Sequence, residues 1–331
     1  MDRRAWLSLI VLASIWGASY MFIKIGLRDL SAPMLAWARI GLAALILVPV
    51  AASQGALGAV KGRVGTLTIL AAAQVAGPFL LIALGEHPIS SALAGILVAT
   101  APIFTVVLAI WVDHDERAEG MRLVGIVLGI AGVVALFGVD LSGSGLAILG
   151  GLAVVLAGLG YAVGGFIVKH RFADSQPIGV AAWVMVASTI LLTPAAAITA
   201  PSSTPALGPA AAVAVLGVLG TGIAFAIFYT LIRSVGPGRS LLVAYLAPAF
   251  AVVYGATLLG ESVTVATVIG LLLIVAGSWL AAGGLAPAPV TTAQAEAPPL
   301  RASEAAAIPD SAPRPGGDGV RPGSRQRASS R

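Results

Sequence analysis

Ala101-Pro102-Ile103-Phe104 lies in an uncharged run within a stretch from Ile96 to Leu136, followed by an acidic clasp over Asp113 to Glu119 and then by Gly125 to Gly132. The same order returns later in the chain: Ala247-Pro248-Ala249-Phe250, then Leu259-Gly260-Glu261-Ser262, then Gly270 and Ala276-Gly277. Pro102 and Pro248 are 146 residues apart, while Glu116/Glu261, Gly125/Gly270 and Gly132/Gly277 are each 145 apart, so one loop residue is missing from the second copy. A chain that repeats itself in this way is a duplication, and its fold is built from two similar halves.

Composition sets the class of both halves. Charged residues make up 10% of the chain and the mean hydropathy is +0.99, whereas a soluble domain carries about 25% charged residues. A helix needs ~20 apolar residues to cross a bilayer, and uncharged windows of that length recur almost to the end. Barrel strands would alternate polar and apolar over ~10 residues, and no such alternation is present. The fold class is therefore an all-α integral membrane protein. There is no cysteine, and His87, His114 and His170 fall at helix ends or loops without metal-ligand spacing, so neither a metal nor a cofactor is expected. The expected partners are a small-molecule substrate and the lipid bilayer, and not nucleic acid. The oligomeric state stays open between monomer and homodimer.

Hydropathy and turn residues predict ten spans. The first, Met1 to Ile25, resembles a leader, but its apolar core is longer than a cleaved segment of ~7–15 residues, so it reads as an uncleaved helix. The next four are about 32–52 (with Pro33 in the first turn), 65–84, 90–112 and 121–139. The second half restarts near Gly145, with spans at about 145–168, 178–198, 210–232, 240–259 and 263–282. Between residues 175 and 232 no residue is charged, and Pro194 with the Pro201-Ser202-Ser203-Thr204-Pro205 cluster divides that run. The resulting organisation is a first repeat over 1–140, a second over 145–283 and a disordered cytoplasmic tail over 287–331, where Ala, Pro, Ser, Gly and Arg replace large apolar residues.

Basic residues predict the orientation. With the N-terminus inside, all nineteen Lys and Arg fall in cytoplasmic loops or the tail except Lys24 and Arg28, in outer loops, and Arg39, within a span. That is a strong positive-inside bias, and it places both termini in the cytoplasm. Five helices per repeat is an odd number, so the second repeat enters the membrane from the opposite side and the halves form inverted repeats, an arrangement suited to alternating access.

Several stretches carry a family resemblance: Trp16-Gly17-Ala18, Ala36-Trp37-Ala38-Arg39-Ile40-Gly41-Leu42-Ala43, Ala83-Leu84 to Ala101-Pro102-Ile103-Phe104, Glu116-Arg117, Ala247-Pro248, Gly260-Glu261 and Ala276-Gly277. Together, over about residues 5 to 283, they resemble the EamA-type transporters of the drug/metabolite transporter superfamily. The resemblance implies a ten-helix inverted-repeat carrier with a central cavity, peripheral fifth and tenth helices, and export of small metabolites, amino acids or drugs. Asp113-His114-Asp115 departs from the family pattern and makes the inner loop unusually acidic.

Within this framework the candidate residues can be weighed. Arg39 sits inside a span, where an arginine costs at least ~2.5–3.5 kcal/mol on insertion scales. It reads either as a partner for a substrate carboxylate or phosphate or as a structural arginine bonding helix-end carbonyls. Gln74 lines a cavity or ties two helices together. Trp16 and Tyr20 share one face of the first helix, and Tyr161 lies 145 residues after Trp16. In the eighth span Thr221, Phe225 and Phe228 share a face with Tyr229 beside it, an aromatic stripe that serves as a binding wall or as packing, while the ninth span offers Tyr245. Pro102 and Pro248 are expected to kink their helices, turning the carbonyls of Val98 and Ala244 toward the cavity. Glu86 and His87 form a protonatable pair at the outer mouth and are expected to be solvated. An intramembrane enzyme would need paired acids, a Ser/His pair or a metal set within the bilayer, so the chain reads as a secondary transporter and not as an enzyme. A receptor or scaffold, or a flippase for a lipid-linked solute, is the alternative.

Overall fold

The computed structural model describes residues 3–112, 120–139, 144–240 and 242–281. The acidic clasp and the tail lie outside the described residues. Among the described residues there is no strand, and the long helices are α1 (Arg3–Gly26), α2 (Ala32–Ser53), α3 (Val64–Gly85), α4 (Ser91–Trp111), α5 (Met121–Val139), α6 (Gly145–Arg171), α7 (Pro177–Ile198), α8 (Leu207–Ile232), α9 (Leu242–Leu258) and α10 (Val265–Ala281). The first eight are long and apolar enough to cross a membrane, whereas α9 and α10 are apolar helices of 17 residues each. Large apolar side chains such as Leu45, Trp111, Val134, Leu149 and Ile190 point outward, as a protein bathed in hydrocarbon permits.

The helix starts follow from capping chemistry. Ser31 accepts from the Met34 amide at 3.3 Å, with Pro33 in the first turn of α2, and Ser90 accepts from the Leu93 amide at 3.2 Å at the start of α4. Glu261, from the turn between α9 and α10, reaches the same end of α4. Its carboxylate accepts from the Ser91 amide at 2.8 Å, the Ser91 hydroxyl at 3.0 Å and the Ala92 amide at 3.0 Å. An acidic group at a helix N-terminus satisfies donors that have no partner within the helix and complements the helix dipole. Pro194 lies inside α7, so the division between α7 and α8 belongs to the Pro201–Pro205 cluster alone.

The two repeated prolines act differently. α4 is broken into Ser91–Val98 and Ala101–Val112, with Pro102 in the first turn of its second segment. At the break the Thr100 hydroxyl turns back onto the Leu97 carbonyl at 2.7 Å, and the Ile103 amide bonds to Thr100. Ser278 of α10 donates to the Ala99 carbonyl at 2.7 Å, fully buried. The carbonyl partnered from another helix is thus that of Ala99 and not, as expected, that of Val98. Pro248, by contrast, lies inside the uninterrupted α9.

Helix pairing follows the duplication. α1 packs on α9 and α6 on α4; α3 packs on α6 and α8 on α1; α2 faces α7, and α5 faces α10. Exchanging the halves leaves this set of pairs unchanged. The repeated glycines form the α5–α10 seam: a Cβ at Gly125 would lie 2.6 Å from the Gly277 carbonyl oxygen, and one at Gly277 would lie 2.6 Å from the Gly125 carbonyl oxygen. Small residues let membrane helices approach closely where no hydrophobic effect drives them together. Gly125→Ala is therefore expected to cost about 1–3 kcal/mol through overpacking against backbone. Gly138→Ala, where nothing lies near the added methyl group, should be neutral. Thermal unfolding of the two purified variants in detergent checks this, and equal melting temperatures would refute it.

Candidate functional site

Two of the long helices are locally wound as π turns. α3 has one over Ala72–Ala76 and α8 one over Val218–Ile223, and their starts are 146 residues apart, the same interval that separates the two prolines. In α3 the cause is legible. Pro78 has no N–H to give, and the Gly77 amide reaches back five residues to the Ala72 carbonyl, which a Cβ at position 77 would meet at 2.6 Å. In α8 the Ala224 amide bonds to Leu219, and the Thr221 hydroxyl bonds to the Leu216 carbonyl at 3.1 Å. π turns inside helices recur at functional sites. The sequence reading missed both, although Gly77-Pro78 and Gly220-Thr221-Gly222 were the signal.

Arg39 joins the two turns. Only 7% exposed, it donates from Nε to the Thr221 hydroxyl at 2.8 Å, and its guanidinium carbon lies 3.9 Å from the centroid of the Phe79 ring in α3. A guanidinium over an aromatic face is held by the ring's quadrupole, more strongly where water is excluded. Gly217 lets α8 come close enough to touch Leu42 and the backbone at Arg39. Tyr20 of α1, Tyr161 of α6 and Glu86 all lie within electrostatic reach of the guanidinium. Arg39 and Thr221 are thereby joined across two helices, with Tyr20 and Tyr161 within electrostatic reach and Phe79 as a contact the sequence reading did not include.

An aromatic wall extends from this point. Trp16 packs against Phe225 at 6.1 Å and Phe228 at 5.2 Å between ring centroids, and Tyr229 packs against both of those rings. Gln74, in the α3 π turn, lays its side chain against Gly164 of α6. Tyr245 is placed elsewhere: its hydroxyl is 3.4 Å from the Ser278 carbonyl on α10. A surface groove of about 500 Å³ between α2 and α7, lined by Trp37, Gly41, Leu45 and Ile190, includes none of the candidate residues.

Of the outer-mouth pair, His87 is exposed as expected, but Glu86 needs correction. The Lys24 ammonium is a strut: it donates to the carbonyls of Glu86 at 2.5 Å, Ile89 at 2.7 Å and His87 at 3.3 Å, tying α1 to the α3–α4 turn. Glu86 is not solvated. It is 0% exposed, and neither of its carboxyl oxygens has a hydrogen-bond partner. The reason is tertiary: Lys24 of α1 fastens the backbone of the turn, and the Glu86 side chain is buried while His87 and Pro88 stay exposed. Burial pushes the Glu86 carboxyl well above the ordinary carboxylate range.

Each end of the bundle also has an aspartate clasp. On the Lys24 side, Asp29 accepts from the Ala206 amide at 2.8 Å. At the other end, Arg63 grips both oxygens of Asp174, at 2.8 and 2.6 Å, and the Arg171 carbonyl at 2.7 Å. The Arg63 hydrogen bonds hold the Asp174 carboxyl down at about 2. Asp29 and Asp174 are 145 residues apart.

A model of the EamA-like transporter family matches residues 4–138 and 148–283. The chain is 29% identical over 269 residues to "Uncharacterized inner membrane transporter YedA" of Escherichia coli (strain K12), an alignment covering 78% of this chain and 83% of that protein. It is 26% identical over 292 residues to "Probable terminal-alkyne amino-acid exporter" of Streptantibioticus cattleyicolor, covering 85% and 93%. A solved crystal structure is similar with a TM-score of 0.62 at 19% identity, covering 85% of this chain and 97% of that one, which shows the fold alone.

The buried Glu86 sets a pH dependence. Its folded pKa lies above the unfolded value of ~4.3, so the folded state binds the extra proton. The corresponding stability is full below that value and is lost as pH rises, with a slope of at most ~1.4 kcal/mol per pH unit. Thermal unfolding of wild type across this range should show the fall, and Glu86→Gln should show a smaller one. Identical slopes would mean that Glu86 is ionised in the folded protein.

Proposed function

The chain belongs to the EamA-like transporter family and is a multi-pass membrane transporter, and we propose that it exports small organic solutes bearing a carboxylate, such as amino acids and their metabolites, by alternating access. The observation that carries the substrate class is Arg39, a cation held between α2, α3 and α8 beside Tyr20 and Tyr161. Thr221 takes the Nε hydrogen and Phe79 packs on the guanidinium plane, which leaves the terminal N–H groups for a ligand. A planar fork of N–H groups suits a carboxylate, and the aromatic wall of Trp16, Phe225 and Tyr229 offers an apolar surface for the rest of the solute. The amino-acid exporter among the relatives supports the same class.

The proposed architecture is ten transmembrane helices in two inverted repeats, 1–140 and 145–283, with both termini in the cytoplasm. The exchange-invariant helix pairing, the paired π turns and the matching aspartate clasps support it. α9 and α10, at ~1.5 Å per residue, span about 25 Å, a little less than the ~30 Å hydrocarbon core, which a thinner local bilayer accommodates.

Counterflow of labelled amino acids in proteoliposomes tests the function. Arg39→Gln is expected to raise the half-saturating concentration about ten-fold or more, the loss of ~1.4 kcal/mol or more of binding, and Arg39→Lys should recover part of it. A normally folded Arg39→Gln protein with unchanged transport of acids would end the substrate assignment. Because the chain has no cysteine, orientation can be read directly. A membrane-impermeant maleimide applied to intact cells should label Arg28→Cys and spare Lys61→Cys, and the reverse pattern would invert the topology.

A further inference from the structure

Glu86 combines three features that the transport site does not use. It lies one residue beyond α3, in the turn that Lys24 fastens to α1. It is wholly buried, and both of its carboxyl oxygens lack a hydrogen-bond partner. Lys24, Glu261 and Arg39 are the nearby charges, and neither cation gives the Glu86 carboxyl a hydrogen bond. The Lys24 ammonium spends its donors on three carbonyls, Glu261 is bonded to the first amides of α4, and Arg39 is bonded to Thr221 and stacked on Phe79.

Among the described residues, no element around α3 gives the Glu86 carboxyl a hydrogen-bond donor. Tyr20 of α1 lies within electrostatic reach. α6 packs on Gly85 through Gly150 and Val154 and has no ionisable side chain before Tyr161. α4 and α7 contain none, and His87 follows in the same turn. An ionised carboxylate without a donor, excluded from water, is costly enough that such a group takes up a proton instead. The closed turn therefore fits the neutral acid.

We infer that Glu86 is a proton-binding site that must be filled for the Lys24 end of the bundle to close. The inference rests on the alternating-access reading, under which this end also opens. On opening, Glu86 meets water, and its O–H bond breaks to leave the carboxylate and release one proton to that side. On closing, one proton from the same side returns to a carboxylate oxygen, so nothing else is consumed. Acid outside then favours the closed end and alkali the open one. The linkage is one proton per closure, so the open fraction changes by at most ten-fold per pH unit.

Because the chain has no cysteine, a single reporter suffices. Leu93→Cys, at a buried position in the first turn of α4, is placed in the full-length protein in proteoliposomes and labelled with an impermeant maleimide across pH. Its rate is divided by that of the exposed Arg28→Cys to remove the thiol's own titration. The ratio should rise with pH by several-fold per unit and become flat when Glu86→Gln is added. A parallel infrared titration of the wild type should show the carbonyl stretch of a protonated acid at pH values where exposed carboxylates have ionised, and Glu86→Gln should remove that band. If Glu86→Gln does not fold, Glu86→Asp takes its place and should shift the midpoint of both readouts.

A flat wild-type ratio, a pH response that survives the substitution, or an acid band unaffected by it would each overturn the inference. Neither readout needs a transported solute. Absent counterflow would count against the transport reading alone, while these two measurements decide the proton site.

Discussion

Inside a bilayer, every backbone N–H and C=O that leaves the regular helical pattern must find a partner within the protein, and most of the irregular structure here follows from that constraint. Among the described residues, α3, α4 and α8 depart from the α pattern within apolar segments. In α4 the carbonyl of Ala99 at the break is taken by Ser278 from α10. In α3 the Gly77 amide skips one residue to reach Ala72, and in α8 Ala224 does the same to Leu219. An unpartnered carbonyl in such a segment would cost several kcal/mol, so each departure recruits a specific neighbour. Ser278 is the clearest case: a polar side chain in an apolar helix, fully buried, serving a different helix from its own.

The same constraint explains where Arg39 sits. A π turn widens the helix and turns a side chain out of the usual row, and in α8 it presents the Thr221 hydroxyl to α2. Arg39 takes that hydroxyl with Nε and the Phe79 face with its plane. The cost of an intramembrane cation is thus met by contacts from both irregular helices, one from each half of the chain. The structural and ligand-binding readings of Arg39 are therefore compatible, since the bond to Thr221 uses only Nε.

Much of the fold could be read from sequence because its signals are local. Uncharged windows bounded by Ser, Pro and basic residues located the helices to within a few positions, and Gly125, Gly132, Gly270 and Gly277 marked a seam that the structure places between α5 and α10. The misses are tertiary. Whether Glu86 meets water depends on a turn closed by a lysine sixty-two residues away, and no hydropathy window contains that information. Tyr245 belonged to an aromatic pattern on paper, but its hydroxyl faces α10. Phe79 was one apolar residue among many until Arg39 was seen above it. The π turns needed the joint reading of glycine, proline and their spacing, which helical periodicity alone does not supply.

The distribution of contact strength along the bundle bears on how such a protein can move. The α5–α10 seam is backbone against backbone, and the apolar core between α2 and α7 is continuous. The ends are joined differently: by Lys24 on three carbonyls, by Asp29 on one amide, and by the exposed Arg63–Asp174 pair. Exposed ion pairs contribute ~0–1 kcal/mol, because water competes for both partners as soon as they separate. Breaking such a clasp exchanges one set of hydrogen bonds for another, whereas parting the glycine seam exchanges close packing for nothing equivalent. The seams are thus held by close packing of backbone, and the ends by polar contacts from Lys24, Asp29, Glu261 and Arg63. Asp29 and Asp174 lie at equivalent places in the two halves but are bonded differently, Asp29 to one backbone amide and Asp174 to both terminal nitrogens of Arg63, and the buried carboxyl of Glu86 further distinguishes the Lys24 end from the other.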